Sequence, residues 1–180
     1  MITPLTMHDG ICDFLEKKIA PRFTLKTSDR QGNDSFGIAQ VVRSGWIMPK
    51  SIDSESMNTE DFPFIIPRID KIENVSGKRE SIVTLKIICG VYDPGIFDDE
   101  GYRINDGSGY RDVWNIIEAI RQAFFQNMII DNKYMVVDDF FEAEMLVDQG
   151  YPYWEGFCLT KWHVLFPVPK LDEIFFVKGD

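Results

Sequence analysis

The side chains able to do chemistry are few and scattered. The chain holds two histidines, His8 and His163. Nucleophilic catalysis needs a serine, cysteine or similar group with a base in hydrogen-bond reach. Neither histidine lies in a short motif with a nucleophile, and no G-x-S-x-G elbow occurs. A triad assembled in space stays open on sequence alone. Cys12, Cys89 and Cys158 are widely spaced and form no CxxC pair, which indicates neither a disulfide framework nor a zinc site. Their apolar neighbours mark them as small hydrophobes in a reducing compartment. Carboxylates cluster at Asp98, Asp99 and Glu100, at Asp138 and Asp139, and at Glu142 and Glu144. A glycosidase pair needs two carboxyls at a set separation around a cleft. Neighbours along a strand point to opposite faces, so adjacency does not supply that separation. These runs read as solvated acidic surface.

Two glycine-rich patterns fall short of known ligand loops. The GSG at 107–109 enters a helix, but it lacks the Walker lysine and the G-x-G-x-x-G spacing. The acidic stretch DPGIFDDEGYRINDGSG (93–109) lacks the D-x-D-x-D-G order of a calcium loop. Trp46, Trp114, Trp154 and Trp162 suit either a ligand platform or, more commonly, core and interface anchors. The expectation is therefore no catalytic residue, no metal ligand and no cofactor: not an enzyme.

Composition narrows the class further. A chain of 180 residues is one domain of ordinary size with room for a real core. Hydrophobic residues at 44% and charged residues at 27% are close to globular averages, which argues against disorder of the whole chain. No apolar run is long enough for a membrane helix. The start, MITPLTMHDGICDF, lacks the basic and apolar regions of a secretory signal, so a cytoplasmic location is expected. The 19 basic and 29 acidic side chains leave a net charge of −10, which argues against a phosphate-gripping surface. That charge serves solubility, or it lines a channel that must not adhere to a polyanion.

The elements that must carry these residues can be read along the chain. Residues 3–19 have helical spacing, with Thr3 as cap, Pro4 in the first turn and Pro21 as stop. Residues 26–37 are polar and rich in Gly, Asn, Asp and Ser, the composition of a loop. Segment 38–48 reads as a short strand and 50–61 as a surface loop. The strand FPFIIPRIDKI (62–72) contains Pro63 and Pro67, which confine it to a sheet edge or a bulge. A turn at 74–78 leads to strand 80–92, where Val83, Leu85, Ile87, Cys89 and Val91 share the core face. After the 93–109 loop, residues 110–127 form a helix with Ser108 as cap and Asp112 at its positive end. Val113, Ile116, Ile117, Ile120 and Phe124 make its stripe, which should lie across the preceding hairpin. YMVVD (134–138) is a strand, FFEAEMLV (140–147) is ambiguous, and 156–166 alternates as a strand with Thr160, Trp162, Val164 and Phe166 on one face. The result is an α+β fold, a mainly antiparallel sheet flanked by one N-terminal and one central amphipathic helix.

Five segments in this order resemble the tail terminator, or tail-completion, proteins of long-tailed bacteriophages and prophages. They are VVRSGWIMPK (41–50), FPFIIPRI (62–69), IICGVYD (87–93), GYRDVWNIIEAIR (109–121) and PYWEGFCLTKW (152–162). The resemblance implies a structural protein of the virion tail or neck, assembled in the host bacterial cytoplasm. It implies a homo-oligomeric ring, a hexamer, seated on the last ring of the tail tube. Its partners would be other copies of itself, the tail-tube protein and a head-completion or connector protein. Neither a membrane nor specific nucleic-acid recognition is implied. Pro67 stands where the family has a second β-branched residue, and the 93–108 loop is long. Ring subunits need apolar patches larger than a monomer exposes. The candidate interface residues are Trp46, Lys50, Phe62, Phe64, Arg68, Phe175 and Phe176. Other readings are a different neck or tail component, such as a head–tail joining or tail-tube protein, and a small α+β ligand-binding or enzymatic domain with Trp154 and Trp162 beside a pocket.

Overall fold

The computed structural model describes residues 3–28, 34–47, 61–75, 80–148 and 150–165. Helix α1 spans Pro4–Lys18. Thr3 caps it reciprocally: its Oγ1 accepts from the Thr6 N–H at 3.1 Å, and Thr6 Oγ1 accepts from the Thr3 N–H at 2.9 Å. Met7, Ile11 and Leu15 are fully buried. A 3-10 turn at Ala20–Arg22 follows, with Pro21 inside it.

Strands β1 (Thr24–Ser28) and β2 (Asp34–Ile38) then pair as an antiparallel ribbon. This corrects the loop expected over 26–37. The ribbon lies outside the main sheet, so most of its side chains are polar. Leu25 joins the core and Lys26 reaches a buried carboxylate, and these two contacts replace propensity. The strand expected over 38–48 shrinks to β3 (Gln40–Val41). Past it, Gly45 takes a left-handed φ of +70°. Arg43 turns away to α1, donating to Asp13 at 2.5 Å and Glu16 at 2.7 Å.

Strands β4 (Phe64–Asn74) and β5 (Glu80–Tyr92) form the expected antiparallel pair. The proline constraint is met in both ways. Beyond β4 lies only the two-residue β3, and the β4–β5 register slips between Ile69 and Lys71. Within the 93–109 segment a minimal hairpin forms from β6 (Ile96–Phe97) and β7 (Arg103–Ile104). Helix α2 spans Ser108–Gln126. Strands β8 (Ile129–Ile130), β9 (Tyr134–Met145) and β10 (Tyr153–Leu165) complete the chain's described elements. The ambiguous 140–147 stretch is mostly the second half of β9, whose pairing with β10 is irregular between Trp162 and Thr160.

The main sheet has the order β3-β4-β5-β10-β9-β8, antiparallel except for β3 beside β4. The architecture is α+β, with both helices packed on one face of this sheet. The stripe Val113, Ile116, Ile117, Ile120 and Phe124 meets the predicted face of β5 together with Cys158, Trp162 and Val164 of β10. Helix α2 thus covers β5 and β10, while α1 covers β4, which refines the expected crossing over the β4–β5 hairpin. Trp162 sits at the centre, edge-on to Phe124 at 5.0 Å, with its indole N–H donated to Thr160 Oγ1 at 2.9 Å. All three cysteines are unbridged and buried here.

Trp162→Ala empties the middle of this core and should lower the unfolding free energy by about 3–5 kcal/mol. Trp46→Ala, at a position 61% exposed, should change it by no more than about 0.5 kcal/mol. Urea denaturation followed by circular dichroism checks both.

Candidate functional site

A densely bonded buried polar group is Asp93, the residue after β5. Its side chain is 2% exposed. One carboxylate oxygen accepts from Lys26 Nζ at 2.6 Å and from the Gly95 N–H at 3.1 Å. The other accepts from the Gly109 N–H at 2.7 Å and from the Ser108 hydroxyl. Burial alone would push its pKa up. The bonds from Lys26, Ser108 and Gly95 outweigh burial and hold it below the ordinary carboxylate value. Asp93 therefore caps α2 from outside and ties it to β1 and β5.

This corrects two expectations. Ser108 is the first helical residue, not the cap; Gly107 holds the cap position at φ +74° without a side-chain bond. The charge at the positive end of α2 belongs to Asp93, with Asp106 accepting from the Ser108 N–H at 3.0 Å. Asp112 lies one turn deeper, where burial and the charge of Asp93 raise its pKa.

Aromatic rings pack around this end of the sheet on both faces. Phe62, Phe64, Ile66 and Tyr92 form a second, smaller core on the face away from the helices. Val42, Ile47, Ile88 and Tyr153 pack against it. The Phe62 ring lies 4.9 Å from both Phe64 and Tyr153. Two glycines make the packing possible by lacking a Cβ. One added at Gly90 would fall 2.2 Å from the Phe64 ring, and one at Gly109 would fall 2.2 Å from the Trp154 ring. A strand backbone and a helix start each carry an aromatic ring directly on the main chain.

The expected interface residues divide into three groups. Phe62 and Phe64 are 2% and 1% exposed, so within the folded chain they are interior residues and not contact surface. The reason is the 42–47 turn, which folds over them and supplies Val42 and Ile47. Trp46 and Arg68 are accessible: Trp46 stands on the turn, and Arg68, in register with Lys86, sits at the sheet margin where it also lines the groove beside α1. Lys50, Phe175 and Phe176 lie outside the described residues, as do most of the 50–61 loop and the 174–177 cluster. Sequence reasoning missed Asp93, Lys26, Gly90 and Gly109. The available signal was an aspartate closing an apolar strand just before proline and glycine, in VYDPG.

One pair of reactive types does meet. On α1, Cys12 Sγ lies 3.8 Å from His8 Nδ1. His8 Nε2 is 2.9 Å from the Pro67 carbonyl oxygen, which fixes it as the donor nitrogen. The thiol is fully buried, and burial pushes its pKa up to about 11. Burial of this kind disfavours the thiolate, the nucleophilic form. The adjoining groove, about 340 Å³, is lined by Leu5, His8, Asp9, Arg43, Arg68 and Ile69 among others. Arg43 is already engaged by Asp13 and Glu16, and His8 by Pro67. Among the described residues no cluster of three or more His, Cys, Asp or Glu side chains is placed to hold a metal ion. No described helix is long and apolar enough to cross a membrane. Set against known proteins, the sequence matches no family model and no curated protein.

Two variants test this end of the fold. Gly90→Ala drives a methyl into the Phe64 ring and should cost about 1–3 kcal/mol. Pairing it with Phe64→Leu should recover part of that loss. The folded pKa of Asp93 lies below its unfolded value of about 3.8, so its contribution is complete above that value and lost as pH falls through the folded one. Asp93→Asn should cost roughly 3 kcal/mol at pH 7. It should also flatten the acid side of the stability profile, as read from urea midpoints across the acid range.

Proposed function

We propose that this chain is a structural tail-assembly subunit of a phage or prophage, one that ends tail-tube growth and offers a surface to head-completion proteins. It acts as a ring of identical copies. The observation that carries this reading is where the five resembling segments lie. Ile47, Phe62 and Phe64, Gly90 and Asp93, Gly109, and Tyr153 and Trp154, drawn from these segments, gather at one end of the main sheet. Their roles there are packing, capping and close backbone approach. A signature made of such residues specifies a shape, which is what an assembly subunit presents to its neighbours.

Two further points favour a scaffold over a small-molecule domain. Two of the polar heads around the 340 Å³ groove, His8 and Arg43, are occupied by internal bonds. Trp162 is buried in the core, so it cannot line a pocket with Trp154. A net charge of −10 also suits a ring through which a polyanion passes without adhering.

Electron microscopy of purified chain mixed with growing tail tubes tests the reading. The expected result is extra ring density at one tube end and arrested tube length. Tubes that lengthen unchanged, with no bound density, would overturn it. Incorporation along the tube wall would instead identify a tube component, and binding to a head connector alone a joining protein.

A further inference from the structure

The face of the main sheet turned away from the helices is graded in charge over part of its length, with Glu73 on β4 and Lys161 on β10 running against the gradient further along. One registered row shows this directly. Arg68 on β4 pairs with Lys86 on β5, Lys86 with Leu159 on β10, and Leu159 with Glu142 on β9. The row reads cation, cation, apolar, anion. In the next row Phe157 on β10 pairs with Glu144 on β9. The Lys86 ammonium lies over the Phe157 ring at 3.7 Å from its centroid, so the middle of the face is apolar with a cation on one side. Arg68 is 40% exposed, and its only ion pair among the described residues is a long 4.0 Å contact to Asp70. Glu142 and Glu144 are both exposed. Helices α1 and α2 pack on the other face.

From this we infer that two copies of the chain associate face to face through these sheets, related by a two-fold axis parallel to the strands. That axis exchanges left for right. It sets the β4–β5 cations of one copy over the β9 carboxylates of the other, twice, with the apolar strip closed between them. An axis across the strands would set cation on cation. The charge gradient therefore selects both the occupant, a second copy, and its orientation. Aligned sheets pack this way at about 10 Å, and an isologous contact must be self-complementary.

Edge-to-edge addition is disfavoured by the same structure. On β4, Pro67 offers no N–H, its carbonyl is taken by His8, and a bulge follows. On β9 the pairing is irregular, with Asp138 and Asp139 exposed beside it. These are devices that blunt edges. The inference goes beyond the ring reading and does not rest on it, because a two-fold contact closes on itself whereas a ring contact repeats.

A charge-exchange experiment tests it. One variant carries Arg68→Glu and Lys86→Glu, and the other carries Glu142→Lys and Glu144→Lys. Masses are measured by light scattering and sedimentation. The unmodified chain should form a dimer that weakens as salt rises from about 0.05 to about 0.5 M. Each variant alone should dimerise at least about tenfold more weakly, because both contact zones then oppose like charges. Mixed one to one, the two variants should form a dimer again. An unmodified chain that stays monomeric overturns the inference. So does an assembly that neither variant disturbs, or a mixture that fails to restore it. Circular dichroism confirms folding. If Lys86→Glu disturbs the sheet, the single changes Arg68→Glu and Glu142→Lys, at a half-buried and an exposed position, carry the same comparison.

Discussion

The structure turns on one buried carboxylate. Asp93 leaves β5, and everything that must meet there uses it: Lys26 from the outer ribbon, the Gly95 N–H of its own turn, and the first residues of α2. A carboxylate taken out of water is costly unless nearly all its lone pairs are used. Here four donors use them, and one is a cation. The charge also stands at the positive end of a helix dipole. Helix α2 is thereby held at a fixed point, and its apolar stripe falls on β5 and β10.

Much of this was legible in the sequence, and what was not has a physical reason. Thr3, Pro4 and the spacing of Met7, Ile11 and Leu15 announced α1, because a cap and a stripe are local. The alternation of Val83, Leu85, Ile87, Cys89 and Val91 announced β5 and its buried face. The β1–β2 ribbon was hidden because its solvated faces give it a loop's composition. The cap of α2 was hidden because it comes from a side chain 15 residues upstream of Ser108. Strand order was hidden because β5 pairs with β10 across α2 and β9. Phe62 and Phe64 looked like sticky surface on an edge strand. Only the fold of the 42–47 turn shows that they are covered.

The two faces of the sheet divide the labour. One is closed by helices and holds the main core. Among the described residues the other is closed at the Asp93 end, by the aromatic cluster, and elsewhere shows a mixed surface of cations, carboxylates and half-buried apolar side chains. The edges carry proline, bulges and charge. A subunit built this way is protected from indiscriminate strand addition while keeping a broad surface for specific association.

The central position of β10 has a consequence for how the protein is made. Glu80 pairs with Leu165 and Tyr92 with Tyr153, so the strand that completes β5 lies far downstream of it. During synthesis, β5 and the stripe of α2 emerge from the ribosome well before residue 165 is joined. Until then a row of valines, leucines and isoleucines has only part of its cover. Long-range pairing of this kind slows folding and prolongs exposure of apolar surface. In a translating cell, nascent copies stalled short of β10 would be natural clients for chaperones.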